Sequence, residues 1–190
     1  MILYLVGISC VGKTTIGKML SEEIGFSFFD IDIEIQKYYN KPIERIQDDC
    51  LTMNQYREKA SVVLDQIFSN NANMVVSGAP SGLMYSYLNV YKRHKTNKIL
   101  YSIHLKDSFE NILNRITFYD KDSNPIRLTL SELEKVKYLR KIKADYNFFK
   151  NSYKRADFEI DINNIPLTEI PALVINELQK KSKMPTNNIG

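Results

Sequence analysis

The residues with the clearest chemical meaning form a glycine-rich loop near the start of the chain. The segment Gly7-Ile8-Ser9-Cys10-Val11-Gly12-Lys13-Thr14 fits the pattern G-x-x-x-x-G-K-[ST]. In such a loop, backbone N–H groups turn inward around a phosphate, and the N-terminus of the next helix adds partial positive charge. Lys13 can then reach the outer phosphates of a nucleoside triphosphate, and the Thr14 hydroxyl can ligate Mg²⁺. We therefore predict ATP and Mg²⁺ as ligands, with the nucleotide bound by Gly7, Ser9, Cys10, Val11, Gly12, Lys13, Thr14 and Thr15.

Two carboxylates follow at a second place where chemistry is expected. Asp30 and Asp32 stand at the carboxyl end of the second predicted strand, and open α/β sheets bind their ligands outside those strand ends. Asp30 is a candidate metal ligand, directly or through water. Asp32 is a candidate base that binds an acceptor hydroxyl and takes its proton during attack on phosphorus. The structural alternative is that Asp32 only caps the following helix.

The elements that must position these residues are predicted from the alternation of apolar runs with amphipathic stretches, which is typical of βα repeats around a parallel sheet. Strands are expected at 2–6, 27–29, 73–77, 99–104 and 158–162. Helices are expected at 13–24, 32–39, 53–68, 108–116, 131–153 and 167–180, with Gly25 as the C-cap of the first. The glycine-rich loop then lies between the first strand and the first helix, as its phosphate chemistry requires.

Length and composition predict a single domain. The chain has 190 residues, of which 44% are hydrophobic and 25% charged, so we expect one domain over 1–180 and a disordered polar tail over 181–190. The stretch 117–129 is polar and rich in turn residues. A loop of that length inside a compact domain is usually functional, and we interpret it as a lid over the site.

Charge and cysteine content argue against several classes of partner. The formal net charge of +4 is mild, and the lysines are scattered rather than gathered in a stripe with aromatic residues, so no nucleic-acid partner is predicted. Cys10 and Cys50 have neither zinc spacing nor a disulfide framework. The apolar runs are too short for a signal segment or a membrane span. We expect a cytoplasmic monomer without a membrane partner.

A family resemblance becomes visible around the two carboxylates. The segment Phe28-Phe29-Asp30-Ile31-Asp32-Ile33-Glu34-Ile35 resembles the Phe-x-Asp-x-Asp-x-x-Ile segment of shikimate kinases, and 43–46 and Tyr56-Arg57 stand where that family has its next motifs. The segment 155–161 is similar to the family's last strand. The resemblance implies a P-loop kinase fold, a three-layer α/β sandwich with a five-stranded parallel sheet in the order 2-3-1-4-5. It also implies transfer of the γ-phosphoryl group of ATP to a small polar acceptor, most naturally shikimate.

The same resemblance implies roles for residues outside the loop. Arg57 would grip the acceptor carboxylate, for which a planar guanidinium is well shaped, and its alternative role is that of a surface arginine. Gly78, after the third strand, would let the backbone approach the acceptor. In the lid, Arg127 would touch the transferred phosphoryl group, with Arg115 as its partner at the nucleotide. The alternative for Arg127 is a solvated loop charge.

Three departures fall on the acceptor side. Where the family has three glycines, this chain reads Gly78-Ala79-Pro80, and Pro80 has no N–H to donate. Ala60 replaces a glutamate that holds the family's arginine. A late arginine has only Lys143 and Lys150 nearby, and lysine has no bidentate fork. Two alternatives therefore stay open: a kinase for a gluconate-like sugar acid, a nucleoside monophosphate or an antibiotic, or a nucleotide-binding homologue without catalysis.

Overall fold

The structure is a computed structural model that describes residues 1–182. Its strands are β1 (Ile2–Val6), β2 (Ser27–Asp30), β3 (Met74–Ser77), β4 (Leu100–Lys106), β5 (Phe118–Tyr119), β6 (Pro125–Ile126) and β7 (Phe158–Asp161). Its helices are α1 (Lys13–Ile24), α2 (Ile31–Tyr39), α3 (Ile43–Asp48), α4 (Met53–Ser69), α5 (Tyr85–Lys95), α6 (Phe109–Asn114), α7 (Glu132–Tyr153) and α8 (Ile170–Ser182). The predicted disordered tail, 181–190, lies outside the described residues except for its first two, which end α8.

A parallel sheet of five strands forms the centre of the fold, in the order β2-β3-β1-β4-β7. This confirms the predicted strand order, with β7 as the fifth strand. All five residues of β1 are buried because this strand pairs with β3 on one side and β4 on the other and is covered on both faces. The carboxyl ends of β1, β2 and β3 therefore meet at one edge, where the glycine-rich loop and the two carboxylates lie.

The helix that follows the glycine-rich loop has the predicted bounds. The helix α1 begins at Lys13 and ends against Gly25, whose φ of 67° is left-handed and whose N–H donates to the Ser21 carbonyl. Its apolar side chains Ile16 and Leu20 are fully buried. Packing of this face fixes the direction of the helix and aims its N-terminus at the loop.

Two helices were not singled out by the sequence pattern. The helix α3 has only six residues, too few to show a hydrophobic period. The helix α5 buries a narrow stripe of Tyr87, Val90 and Tyr91 among lysines, an arginine and a histidine. Tyr4 of β1 packs against this stripe, with its ring centroid 6.3 Å from that of Tyr91, so part of the core packing of α5 comes from a strand distant in sequence.

The lid contains a short hairpin rather than only loop. Within 117–129, β5 and β6 pair antiparallel, with Phe118 opposite Ile126. The turn of the hairpin contacts α3, where the Ser123 hydroxyl donates to the Glu44 carboxylate and Asp122 pairs with Arg45 at 2.5 Å. The predicted lid is thereby joined to α3.

None of the helices in the described part of the chain, residues 1–182, is both long enough and apolar enough to cross a membrane.

Candidate active site

The glycine-rich loop has the backbone geometry that a phosphate cradle needs. Gly7 and Gly12 have φ values of 149° and 110°, in the range that side-chain-bearing residues rarely adopt. A Cβ on Gly7 would come within 2.6 Å of the Leu105 carbonyl oxygen of β4. Both glycines are therefore required by the loop conformation, and Gly7 also by close packing against the sheet.

Lys13 is held on this loop by its own backbone. The ammonium donates to the carbonyls of Gly7 and Ile8, both at 2.9 Å, and the side chain is buried. Burial lowers the pKa of Lys13 to about 8, although the nearby carboxylate of Asp32 counteracts that effect. A phosphate in the cradle would supply the counter-charge that the two carbonyls provide only in part.

Three oxygen-bearing side chains meet beside the loop. The Thr14 hydroxyl donates to the Asp30 carboxylate at 2.6 Å and lies 3.4 Å from the Ser77 hydroxyl. The register of the sheet explains the meeting, because Asp30 at the end of β2 is paired with Ser77 at the end of β3. A cluster of carboxylate and hydroxyl oxygens matches the ligand preference of Mg²⁺. Ser77 was not among the predicted site residues, although its place at the end of the third strand was a usable signal.

Asp32 lies in the first turn of α2 and is not its cap. The cap is Asp30, whose carboxylate accepts from the Asp32 N–H at 3.0 Å, so the capping alternative proposed for Asp32 is wrong. Asp32 lines a cleft of about 390 Å³ together with Thr14, Asp30, Glu44, Tyr119 and Ser123. The atoms around Asp32 in the cleft limit its hydration, and this burial together with the charge of Asp30 raises the pKa of Asp32 to about 6. The residue still keeps part of its surface in contact with solvent.

Arg57 projects from α4 as a half-buried side chain. Its terminal N–H donates to the Asn54 side-chain carbonyl at 2.9 Å, and the guanidinium carbon lies 5.2 Å from the centre of the Tyr85 ring. The Nε–H group is buried and has no hydrogen-bond partner among the described residues. Arg57 is therefore neither a free surface arginine nor fully satisfied within the protein.

Arg115 and Arg127 occupy different environments. Arg115 pairs with the buried Asp107 carboxylate, and its Nε–H donates to the Cys10 carbonyl of the glycine-rich loop at 3.2 Å. Arg115 therefore contacts the glycine-rich loop, and its predicted contact with the nucleotide stays a prediction. Arg127 directly follows β6 and is exposed on the lid. Asp107, which holds Arg115, was missed by the sequence analysis because its partner lies one helix further along the chain.

Comparison with known proteins places this arrangement in a family. The sequence model of the shikimate kinase family matches residues 9–179. The chain belongs to the shikimate kinase family. Shikimate kinases from Flavobacterium psychrophilum and Caldicellulosiruptor bescii are 26% and 27% identical to it. These alignments cover 93% and 94% of this chain and 95% and 96% of the two relatives.

Solved structures agree on the fold. A shikimate kinase from Acinetobacter baumannii, solved in complex with shikimate, matches with a TM-score of 0.74 at 23% identity and covers 96% of this chain and 95% of that one. A gluconokinase from Sinorhizobium meliloti matches less well, with a TM-score of 0.62 at 16% identity over 95% and 96% of the two chains. The predicted P-loop kinase fold and the predicted class of enzyme, an ATP-dependent kinase of the shikimate kinase family, are confirmed.

The departures from the shikimate kinase pattern have visible structural consequences. A Cβ on Gly78 would lie 2.5 Å from the Tyr4 ring, and one on Gly82 would lie 2.5 Å from the Tyr4 hydroxyl. In this chain both glycines therefore make room for a tyrosine of β1, whose hydroxyl donates to the Gly82 carbonyl at 3.3 Å. Ala60 is fully buried in the core. Arg57 instead donates a hydrogen bond to the Asn54 side chain.

The two lysines of α7 near the place of the family's late arginine have other partners. Lys143 lies over the Phe109 ring at 5.8 Å, and Lys150 donates to the Asn147 side chain at 3.1 Å. Both are exposed. Neither lysine replaces a second acceptor-binding arginine in this arrangement.

Proposed function

We propose that this protein transfers the γ-phosphoryl group of ATP to a hydroxyl group of shikimate. The observation that carries the proposal is that Asp32, a carboxylate lining a cleft, lies within electrostatic range of Lys13 on the phosphate-binding loop. One site then combines a cation for phosphate with a base for a hydroxyl. Family membership supports shikimate as the acceptor.

The donor half of the proposed site consists of the glycine-rich loop and its oxygen cluster. Backbone N–H groups of residues 7–15 and the Lys13 ammonium would hold the phosphates of ATP. Thr14 and Asp30, with Ser77 beside them, would hold Mg²⁺, because their oxygens already converge. When bound, the metal ion supplies positive charge to the phosphate oxygens.

Asp32 performs the proposed proton transfer. Its carboxylate accepts a hydrogen bond from the acceptor hydroxyl and orients that oxygen toward the γ-phosphorus. As the new O–P bond forms, the bond from the γ-phosphorus to the bridging oxygen of ADP breaks, and the hydroxyl proton passes to Asp32. A raised pKa suits this task because the carboxylate is ionised near neutral pH and still basic enough to take the proton.

The remaining predicted residues have positioning and charge roles in this proposal. Arg57 binds the acceptor carboxylate, and the backbone at Gly78 borders the acceptor. Arg115 orders the nucleotide loop through its bond to Cys10, and Arg127 meets the transferred phosphoryl group when the lid closes. The lid, 117–129, excludes water so that the phosphoryl group passes to the acceptor rather than to solvent. The whole assembly belongs to one domain over 1–180.

An acceptor screen tests the proposal. ADP release is measured with saturating MgATP and, in separate reactions, shikimate, gluconate and nucleoside monophosphates, with an EDTA-treated sample as the metal control. We expect acceptor-dependent ADP release with shikimate and its loss on metal removal. Release that depends on another acceptor, or on none, would overturn the assignment.

A sugar acid such as gluconate is the second candidate acceptor. The observation that favours it is the 78–82 loop, where Pro80 removes a backbone donor and the space beside Gly78 and Gly82 is taken by Tyr4. Faster turnover of gluconate than of shikimate in the same screen would select this candidate. ATP binding without turnover of any acceptor would select a non-catalytic homologue.

A further inference from the structure

A buried tyrosine of α5 is unsatisfied at the acceptor side of the site. Tyr87 is fully buried, and its hydroxyl has no hydrogen-bond partner among the described residues. A buried hydroxyl without a partner costs free energy, so native proteins rarely keep one unless another group satisfies it. Such a hydroxyl calls for a ligand or another functional explanation.

Arg57 presents a second unsatisfied donor from the neighbouring helix. Its Nε–H is also buried and without a partner among residues 1–182. The helices α4 and α5 pack on each other, and the Arg57 guanidinium lies over the ring of Tyr85, two residues before Tyr87. The Tyr87 hydroxyl and the Arg57 Nε–H, on two neighbouring helices, therefore both lack an acceptor atom.

The Tyr87 hydroxyl lies within electrostatic range of both predicted acceptor-binding residues. Burial raises the pKa of Tyr87 well above its ordinary value, the hydroxyls of Tyr56 and Tyr4 and the charge of Asp32 raise it further, and the charge of Arg57 lowers it. Asp32 and Arg57 are therefore both near this hydroxyl.

The backbone next to this tyrosine is strained. Tyr85 has a φ of 50°, a left-handed conformation that is rare for a bulky residue. Strain of this kind costs free energy and is concentrated at functional sites. Tyr85 is the first residue of α5, and in this conformation its ring lies under the Arg57 guanidinium. Tyr87 follows two residues later and is buried in the core.

We propose that the Tyr87 hydroxyl donates a hydrogen bond to the carboxylate of the acceptor, alongside the Nε–H of Arg57. The inference rests on the proposed function and deepens it by naming a specificity residue for its acceptor site. A carboxylate has two oxygens and accepts from two donors at once, so one ligand group satisfies both orphaned atoms. The phenol thereby supplies a donor in place of Lys143 and Lys150, whose exposed side chains have other partners.

The test replaces only the hydroxyl. In Tyr87→Phe, we expect the KM for shikimate to rise about tenfold or more, because a hydrogen bond to a charged group is lost. The kcat and the KM for ATP should stay within about twofold, since uniform binding to the acceptor is what is removed. The melting temperature of the ligand-free protein should rise by about 2–4 °C, because a buried unsatisfied group is gone.

Tyr153→Phe is the matched control. Tyr153 is a second buried tyrosine whose hydroxyl has no partner among the described residues, and its ring stacks on His104 at 4.3 Å, on the β4–α7 side of the protein. This variant should raise the melting temperature in the same way and leave the KM for shikimate unchanged. An equal rise in KM in both variants would mean that the effect is general and would overturn the proposal.

Arg57→Lys completes a double-mutant cycle, since lysine lacks the Nε–H. If both groups bind one carboxylate, the combined variant should lose less affinity than the product of the two single losses. Wild-type turnover of shikimate with an unchanged KM in Tyr87→Phe would overturn this inference alone. Absence of any shikimate turnover by the wild type would overturn the proposed function, and the inference would fall with it.

Discussion

At the scale of single residues, Lys13 has no local partner strong enough to replace a phosphate. It is held by two carbonyls, and burial lowers its pKa to about 8, so its charged form is poorly compensated until an anion binds. This is the state expected of a group that acts on transferring phosphoryl oxygens. In the proposed mechanism, the chemistry depends on that cation more than on any other side chain of the loop.

Lys13→Ala should therefore abolish turnover. We expect kcat to fall about a hundredfold or more, as for other electrostatic contacts to a transition state. Lys18→Ala is the control, because Lys18 is an exposed lysine on the same helix. Steady-state ADP release at saturating MgATP measures both, and a Lys13→Ala rate within a few-fold of wild type would contradict the assignment of the loop.

Asp32→Asn separates catalysis from stability. The amide can accept a hydrogen bond but cannot take the proton, so the rate should fall by about 10²–10⁴. The helix cap is Asp30 and not Asp32, and the cleft disfavours the ionised form of Asp32. The melting temperature should consequently be equal to or higher than that of the wild type. A lower melting temperature with an unchanged rate per folded molecule would assign Asp32 a structural role only.

At the scale of elements, Asp157 ties β7 to β4 and α5. Its carboxylate accepts from the Ser102 N–H and hydroxyl, both at 2.9 Å, from the Tyr91 hydroxyl at 2.5 Å, and from Lys95. Burial opposes its ionisation, but the hydrogen bonds from Lys95, the Ser102 backbone and Tyr91 outweigh burial and hold the pKa of Asp157 below its ordinary value. The charged Asp157 side chain thus holds the edge strand β7 against β4 and α5 at the residue that precedes β7.

Asp157→Asn should lower the free energy of unfolding by about 1–3 kcal/mol at pH 7, the range for hydrogen bonds to charged groups and for unsatisfied partners. The folded protein holds this proton less tightly than the unfolded chain. The stabilisation is therefore complete above the unfolded pKa of about 3.9 and is lost as pH falls through the lower folded pKa. Urea unfolding should show the gap to wild type narrowing below about pH 4.

The matched control for this prediction is Asp161→Asn on the same strand. Asp161 pairs with Lys106 at 2.9 Å, but both side chains are about half exposed, at 50% and 40%. Such a pair contributes no more than about 1 kcal/mol. A loss in Asp161→Asn as large as that in Asp157→Asn would contradict the anchoring role of Asp157.

At the scale of the whole molecule, the lid joins parts of the chain that are far apart in sequence. The hairpin of β5 and β6 contacts α3 through Ser123 and Glu44 and through Asp122 and Arg45. The same contact forms one wall of the cleft that Asp32 lines, since Glu44, Tyr119 and Ser123 also line it. In the proposed mechanism, closure of the lid would therefore change the shape of the acceptor side.

The double variant Asp122→Asn, Ser123→Ala should favour the open lid. Each contact is exposed or partly exposed and weak, so the combined shift is about two- to tenfold. The KM for the acceptor should rise by that factor, and ADP release without acceptor should increase because water enters. Faster limited proteolysis within 117–129 would support this account, whereas unchanged proteolysis and KM would contradict it. Lys121→Ala, in the same turn, serves as the control.

The local units of this protein were predictable from its sequence because their information is local. The strand β1, the glycine-rich loop and the helix α1 follow one another in residues 2–24, and each has a short-range signal: apolar run, glycine pattern and helical period. The bounds of β1 and α1 agree with the structure, and the strand order followed from family resemblance. Asp30 and Asp32 were likewise found from their place after a strand.

Only the tertiary structure decided which segments distant in sequence come into contact. Ser77 joins Thr14 and Asp30 because β2 and β3 are paired in register, and no local pattern contains that pairing. Tyr4 fills the space beside Gly78 and Gly82, and Tyr87 is buried near Arg57 and Asp32, with no hydrogen-bond partner for its hydroxyl within residues 1–182. These contacts depend on packing between strands and helices, which is set by the complementarity of whole surfaces rather than by the period of any one segment. The glycine-rich loop is therefore specified by consecutive residues, while the oxygen cluster beside it and the proposed acceptor site form only once the chain has folded.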